Sequence, residues 1–131
     1  MTDQLPDLPG GAHLRTVALP RDANAAGDIF GGWTLSLMDL AGGTFAVNHS
    51  GKRVVTVRIE AVEFLQPVTI GDDVSVFCWL EDQGETSIKV RLETWARARS
   101  GKEPHKVTEG IFTYVAVGED GRPTKADRPD S

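Results

Sequence analysis

One stretch of this chain limits its possible folds more than any other. From Gly31 to Val47 it reads Gly-Gly-Trp-Thr-Leu-Ser-Leu-Met-Asp-Leu-Ala-Gly-Gly-Thr-Phe-Ala-Val, and Asp39 is its sole charge. The following Asn48-His49-Ser50-Gly51 is a stop signal, so a helix is predicted over Gly31–Asn48. Such a helix is apolar nearly all round, which marks it as enclosed by protein rather than lying on a surface. A carboxylate buried there is costly unless a partner or a task holds it. Asp39 is therefore the first place to look for chemistry. The plain alternative is a structural carboxylate paired with an Arg or capping a neighbouring loop.

The residues after Gly51 supply the wrapper. There the hydrophobic period changes to two, which is the signature of strands. Arg53–Leu65 is rich in Val, Ile and Thr. Asp73–Leu80 alternates, with Val74, Val76, Cys78 and Leu80 on one face. Glu85–Arg99 sets Ile88, Val90 and Leu92 against Lys89, Arg91 and Glu93. Lys106–Val117 sets Ile111, Thr113, Val115 and Val117 against Phe112, Tyr114 and Ala116. Gln66-Pro67 and Gly71-Asp72 punctuate one junction, and Gln83-Gly84 is a predicted hairpin turn. Ahead of the helix, His13–Leu19 reads as a short strand ended by Pro20, and Arg21–Asp28 as a polar loop. One strand, one helix and four strands make an α+β fold, with a curved antiparallel sheet as the only surface available to the helix. One sheet is too little cover for so apolar a helix, which predicts an oligomer.

At 131 residues the chain is one domain. Residues 1–11 and 118–131 read as tails around a folded unit at 12–117, being too poor in apolar side chains to order themselves alone. The net charge of −5 comes without a basic run longer than two residues, so no nucleic-acid footprint is visible. The single cysteine, Cys78, excludes an intrachain disulfide and fits a reducing compartment. No apolar run approaches membrane-spanning length and no leader-like start is present, so the expected location is cytoplasmic, with no membrane partner.

Several machineries are missing. There is no Gly-x-Ser-x-Gly elbow, no phosphate loop and no Gly-x-Gly-x-x-Gly fingerprint. His13, His49 and His105 are scattered without ligand spacing, so no metal site is expected. Cys78 lies mid-strand, as a small buried hydrophobe does. What remains is the loop leading into the Asp39 helix. Gly31-Gly32 at a helix start offers unpaired N–H groups at the positive dipole end, with no side chain to obstruct an approaching oxygen. Such donors can stabilise a carbonyl oxygen that turns negative during attack, although Gly-Gly pairs also serve simply as tight turns. With a rise of ~1.5 Å per residue, Asp39 lies roughly 10–12 Å along the axis from Gly32. One helix cannot easily bring both to one carbonyl, so if they act together they come from different subunits.

The run Asp22-Ala23-Asn24-Ala25-Ala26-Gly27-Asp28-Ile29-Phe30-Gly31-Gly32-Trp33, followed by Leu37-Met38-Asp39-Leu40-Ala41-Gly42, resembles the signature of YciA-type hotdog-fold acyl-CoA thioesterases. The likeness continues through Arg53-Val54-Val55-Thr56-Val57-Arg58, Phe64-Leu65-Gln66-Pro67-Val68, Gly71-Asp72 and Phe112-Thr113-Tyr114-Val115-Ala116-Val117. It spans roughly residues 14–123, and the short C-terminus is the main departure. The resemblance implies a hotdog fold paired into a double-hotdog dimer, and trimers of such dimers. It also implies hydrolysis of acyl-CoA to a free acid and CoA, with no metal or bound cofactor and CoA only as part of substrate and product. It maps the family's acid onto Asp39, the partner asparagine of the opposite subunit onto Asn24, and the carbonyl-polarising turn onto Phe30-Gly31-Gly32. Val55, Thr56 and Val57 fall on the strand beside the pantetheine arm, and Arg53 and Arg58 are candidates for the CoA phosphates. Asn24 also reads as an Asx turn, and Asp28 as a loop or capping residue. Two other readings compete with a thioesterase. A non-catalytic acyl-CoA-binding or sensing module could dispense with Asp39, and a hotdog dehydratase would need a histidine where the chain has only His49 at the far end of the helix.

Overall fold

The computed structural model describes residues 4–8, 11–101 and 103–127. The parts of the expected tails at 1–3, 9–10 and 128–131 lie outside the described residues.

The central helix, α1, runs Gly31–Ser50. It starts after the extended residue Phe30 and ends at Gly51, whose φ of 71° suits glycine and whose N–H donates to the Val47 carbonyl. It continues two residues past the predicted Asn48 because Ser50 holds the last turn. The Ser50 hydroxyl donates to the Ala46 carbonyl and accepts the Lys52 N–H.

Five strands surround it: β1 (Leu14–Val17), β2 (Arg53–Phe64), β3 (Asp73–Gln83), β4 (Ser87–Arg97) and β5 (His105–Val117). They form one antiparallel sheet in the order β1-β3-β4-β5-β2, so β1 and β2 are its edges. The Gln83-Gly84 turn joins β3 and β4 as predicted, with the Gly84 N–H donating to the Ser87 carbonyl. Register shifts between Thr56 and Arg58 and between Glu60 and Glu63 break the β2–β5 ladder. Such bulges bend and twist a strand, and here they curl the sheet's edge around the helix.

Met38, Ala41 and Ala46 of α1 pack against Val76, Cys78, Ile88, Val90, Leu92, Phe112, Tyr114 and Ala116. Each large side chain fully buried in this way contributes about 1.5–3 kcal/mol. The inner face of β3 follows the predicted alternation through Val74, Val76 and Cys78. Leu80 departs from it: it lies beside a register shift and is 43% exposed.

The segment after β5 is not left loose. Val117 bridges to Pro123, the Thr124 N–H donates to the Ala116 carbonyl, and the Ala126 N–H donates to the Glu85 carbonyl. Ala126 is fully buried in the main core. Too apolar-poor to fold alone, this segment orders itself on surface that the sheet provides.

One face has no cover. Along α1, Ser36, Leu40, Thr44 and Val47 are exposed, Leu40 by 61%. On β2, Ile59 pairs with the fully buried Phe112 and yet is 46% exposed. The single chain therefore leaves part of the helix uncovered, as the sequence predicts, while Asp39 is half-buried rather than buried.

Candidate active site

Asp39 sits near the middle of α1, turned towards β2 and β5. Its Oδ1 accepts a hydrogen bond from the Thr56 hydroxyl at 2.7 Å and another from the Tyr114 hydroxyl at 3.1 Å. Thr56 and Tyr114 are direct cross-strand partners, so one step of the β2–β5 register brings both hydroxyls to the same oxygen. Among the described residues Oδ2 has no partner. Tyr114 is enclosed in the core, and burial first, then the charge of Asp39, pushes its phenol well above the ordinary range. It is a hydrogen-bond donor at any working pH.

A second cluster lies at the start of the helix. The Asn24 Oδ1 accepts the N–H groups of Ala26 (2.9 Å) and Asp28 (3.0 Å), while its own N–H donates to the Asp28 carbonyl. The Asx turn is thus present, and it fixes the side chain: with Oδ1 engaged, the amide Nδ2 is left without a partner among the described residues. Bridges from Ala23 to Ile29 and from Asp28 to Thr69 anchor this loop. Asp28 acts within it as a loop residue.

Gly31 and Gly32 open the helix, where N–H groups lack intrahelical acceptors. A Cβ at Gly31 would stand 3.1 Å from the Phe64 ring, whereas Gly32 faces open space and Phe30 is exposed. An open pocket of about 370 Å³, lined by Ile29, Gly31, Thr34, Phe64, Val68 and Thr108, adjoins this turn. Asp39 is seven positions on from Gly32 along the helix, roughly 10 Å at a rise of ~1.5 Å per residue. Within one chain, therefore, the acid with its hydroxyls and the turn with its open donors stand apart.

The other predicted residues lie along β2. Val55 and Val57 are exposed on this free edge. Arg53 donates to the Gly118 carbonyl at 3.3 Å, and Arg58 is exposed without a partner among the described residues. Thr56 acts through its side chain, on Asp39. Tyr114 escaped the sequence reading. Its signal was a hydroxyl-bearing ring on the strand face of Phe112 and Ala116, where a buried phenol needs an acceptor.

Burial pushes the Cys78 thiol up to about 12, so it is no thiolate nucleophile. Among the described residues no His, Cys, Asp and Glu cluster is arranged to hold a metal ion, and no helix is long and apolar enough to cross a membrane.

A lone helix wrapped by a five-stranded antiparallel sheet, with its acid facing the sheet's free edge, defines a hotdog-fold thioesterase. Residues 26–100 match the model of the thioesterase superfamily. The acyl-CoA thioester hydrolase YciA of Salmonella typhimurium is 46% identical over 118 residues, covering 87% of this chain and 88% of that protein. The hexameric thioesterase of Yersinia pestis superposes with a TM-score of 0.85 at 43% identity, covering 95% of this chain and all of the other (100%). A hexameric broad specificity acyl-coenzyme A thioesterase gives 0.86 at 38% identity, covering 99% and 90%. The chain belongs to the thioesterase superfamily and, within it, to the YciA group of acyl-CoA thioester hydrolases.

Proposed function

We propose that the protein hydrolyses acyl-CoA to a free carboxylic acid and CoA, at sites that each draw on two chains. One observation carries this reading. Asp39 has one oxygen tied by two hydroxyls and the other open, while the donors of the Gly31-Gly32 turn on its own chain are two helical turns away. A second copy placed against the bare face of α1 and the β2 edge would bring its own Asn24 and Gly31-Gly32 turn to face that open oxygen across a bound thioester. The exposed Leu40 and Ile59 support such a pairing, since apolar surface of this kind marks an interface. The hexameric relatives support assembly of three such dimers.

In the reaction, Asp39 Oδ2 takes a proton from water as its oxygen attacks the thioester carbonyl carbon. A carboxylate can also attack that carbon directly, and Asp39 is open to either route. The N–H of Gly31 or Gly32 from the other chain holds the resulting oxyanion, and the Asn24 Nδ2 orients the water or the carboxylate. Collapse of the tetrahedral intermediate breaks the C–S bond, and the proton held by Asp39 passes to the departing CoA sulfur. Phe30 borders the acyl group, the β2 backbone at Val55, Thr56 and Val57 runs along the pantetheine arm, and Arg53 and Arg58 face the CoA phosphates. No metal or bound cofactor takes part. The cytoplasm, where CoA esters are the chemistry at hand and Cys78 stays reduced, is the proposed location.

Substitution tests the acid. Asp39→Asn and Asp39→Ala are expected to lower kcat by ~100-fold or more with folding retained, as for loss of an essential base or nucleophile. Turnover within a few-fold of wild type would overturn the assignment.

A further inference from the structure

We infer that Tyr114 is a positioning residue for the Asp39 carboxylate, and that position 42 is glycine in order to admit its hydroxyl. This rests on the reading of Asp39 given above. The Tyr114 hydroxyl lies 3.1 Å from Asp39 Oδ1 and 3.1 Å from the Asp39 backbone carbonyl. One proton is thus shared between the carboxylate and the helix backbone of the same residue. That contact ties the side chain to its own main chain and fixes its rotamer. The Thr56 hydroxyl reaches the same oxygen from the neighbouring strand. Both donors hold Oδ1, and Oδ2 is left as the reactive atom. A bond to an ionised acceptor is among the stronger hydrogen bonds, and a catalytic group held in one geometry keeps that geometry through the reaction.

Gly42 supplies the independent observation. It lies inside α1, fully enclosed, where glycine weakens a helix relative to alanine. A Cβ there would stand 2.4 Å from the Tyr114 hydroxyl and 3.1 Å from its Cζ. The glycine conflicts with helix propensity, and the phenol resolves the conflict. The hydroxyl that reaches Asp39 stands in the space that a methyl group at position 42 would fill.

The experiment compares wild type, Tyr114→Phe, Gly42→Ala, the two combined, Asp39→Ala, and Asp39→Ala with Tyr114→Phe. The substrate is the acyl-CoA, from acetyl to palmitoyl, that wild type cleaves fastest. Tyr114→Phe should lower kcat roughly 10-fold with KM within about 2-fold and a thermal midpoint shifted by only a few degrees, since it removes one charge-assisted bond and no bulk. Gly42→Ala should show the same split. In the Tyr114→Phe background it should cost no more than about 2-fold, because the closest atom is gone and the ring, left 3.1 Å away at Cζ, need give only a few tenths of an ångström. Adding Tyr114→Phe to Asp39→Ala should change nothing, as no carboxylate remains to be held. A purely structural role would instead lower the midpoint, leave kcat near wild type, and make the two substitutions additive. Full kcat in Tyr114→Phe beside an inactive Asp39→Ala overturns the role of Tyr114 alone. An active Asp39→Ala overturns the reading of Asp39 and this inference with it. Should Tyr114→Phe fail to assemble, Gly42→Ala decides: unchanged kcat overturns the proposal, and a fall at constant KM upholds it.

Discussion

At the scale of single residues, the donors and acceptors around a side chain decide its protonation and its use, and His13 shows this away from the active site. Its Nδ1 accepts the Cys78 N–H at 3.2 Å, so the ring is neutral with its proton on Nε2. Its edge packs against Phe45, and partial burial lowers its pKa below the ordinary 6.5. Because the folded value is the lower one, the unfolded chain takes up the proton first as pH falls. The stability contributed by neutral His13 is complete above about 6.5 and is lost as pH drops from there through the folded value. Asp73, which a hydrogen bond from Arg15 holds below the usual carboxylate range, loses its contribution only at more acidic pH. The thermal midpoint should therefore fall between pH 7 and pH 5, and His13→Asn, which keeps an acceptor but cannot titrate, should flatten that slope. Equal slopes in the two proteins would show that His13 is not the cause. Asp39 was legible in the sequence because an acid in an uncharged helix conflicts with its surroundings. Tyr114 was not, because its bond to Asp39 joins residues 75 positions apart and exists only once β2 and β5 are in register.

At the scale of elements, hydrophobic period separated the helix from the strands, and turn residues separated the strands from one another. The bounds of α1 and β5 fall within a residue or two of those predicted. Capping contacts moved the end of the helix, and they depend on side chains whose partners come from outside the periodic pattern. The bulges in β2 were not legible at all, since Val57 and Ala61 read as ordinary strand residues. Ala61 has a φ of 54°, a left-handed conformation that costs a non-glycine residue energy and that the bulge imposes. The same strand carries a test of its free edge. Ile59 is on the inner face but half-exposed in the single chain, so a monomer would tolerate a polar side chain there as most surfaces do, within about 0.5 kcal/mol. If β2 is covered by a second copy, Ile59→Asp should lower the mass seen by light scattering and abolish activity, with the far-ultraviolet dichroism of the fold retained. A fully assembled and active Ile59→Asp protein would mean that this edge is not the interface.

At the scale of the whole molecule, the proposed catalytic unit is larger than the chain, which accounts both for the distance between acid and glycine turn and for the bare helix face. The apolar circumference of α1 announced this in the sequence, and the folded chain leaves Leu40, Val47 and Ile59 uncovered in the same region as Asp39. The sequence does not show how Asn24 and the glycine turn would approach the acid, because under the proposal that geometry belongs to two copies. Complementation tests it directly. Asn24→Ala and Asp39→Ala chains, each severely impaired alone, are mixed, unfolded and refolded together. In a mixed dimer both lesions fall in one site and the other site is intact. Random pairing makes about half of the dimers mixed with one working site of two, so roughly a quarter of wild-type activity should return if subunits act independently. Recovery no greater than the sum of the two variants, with mixed dimers shown to be present, would contradict a site shared between chains.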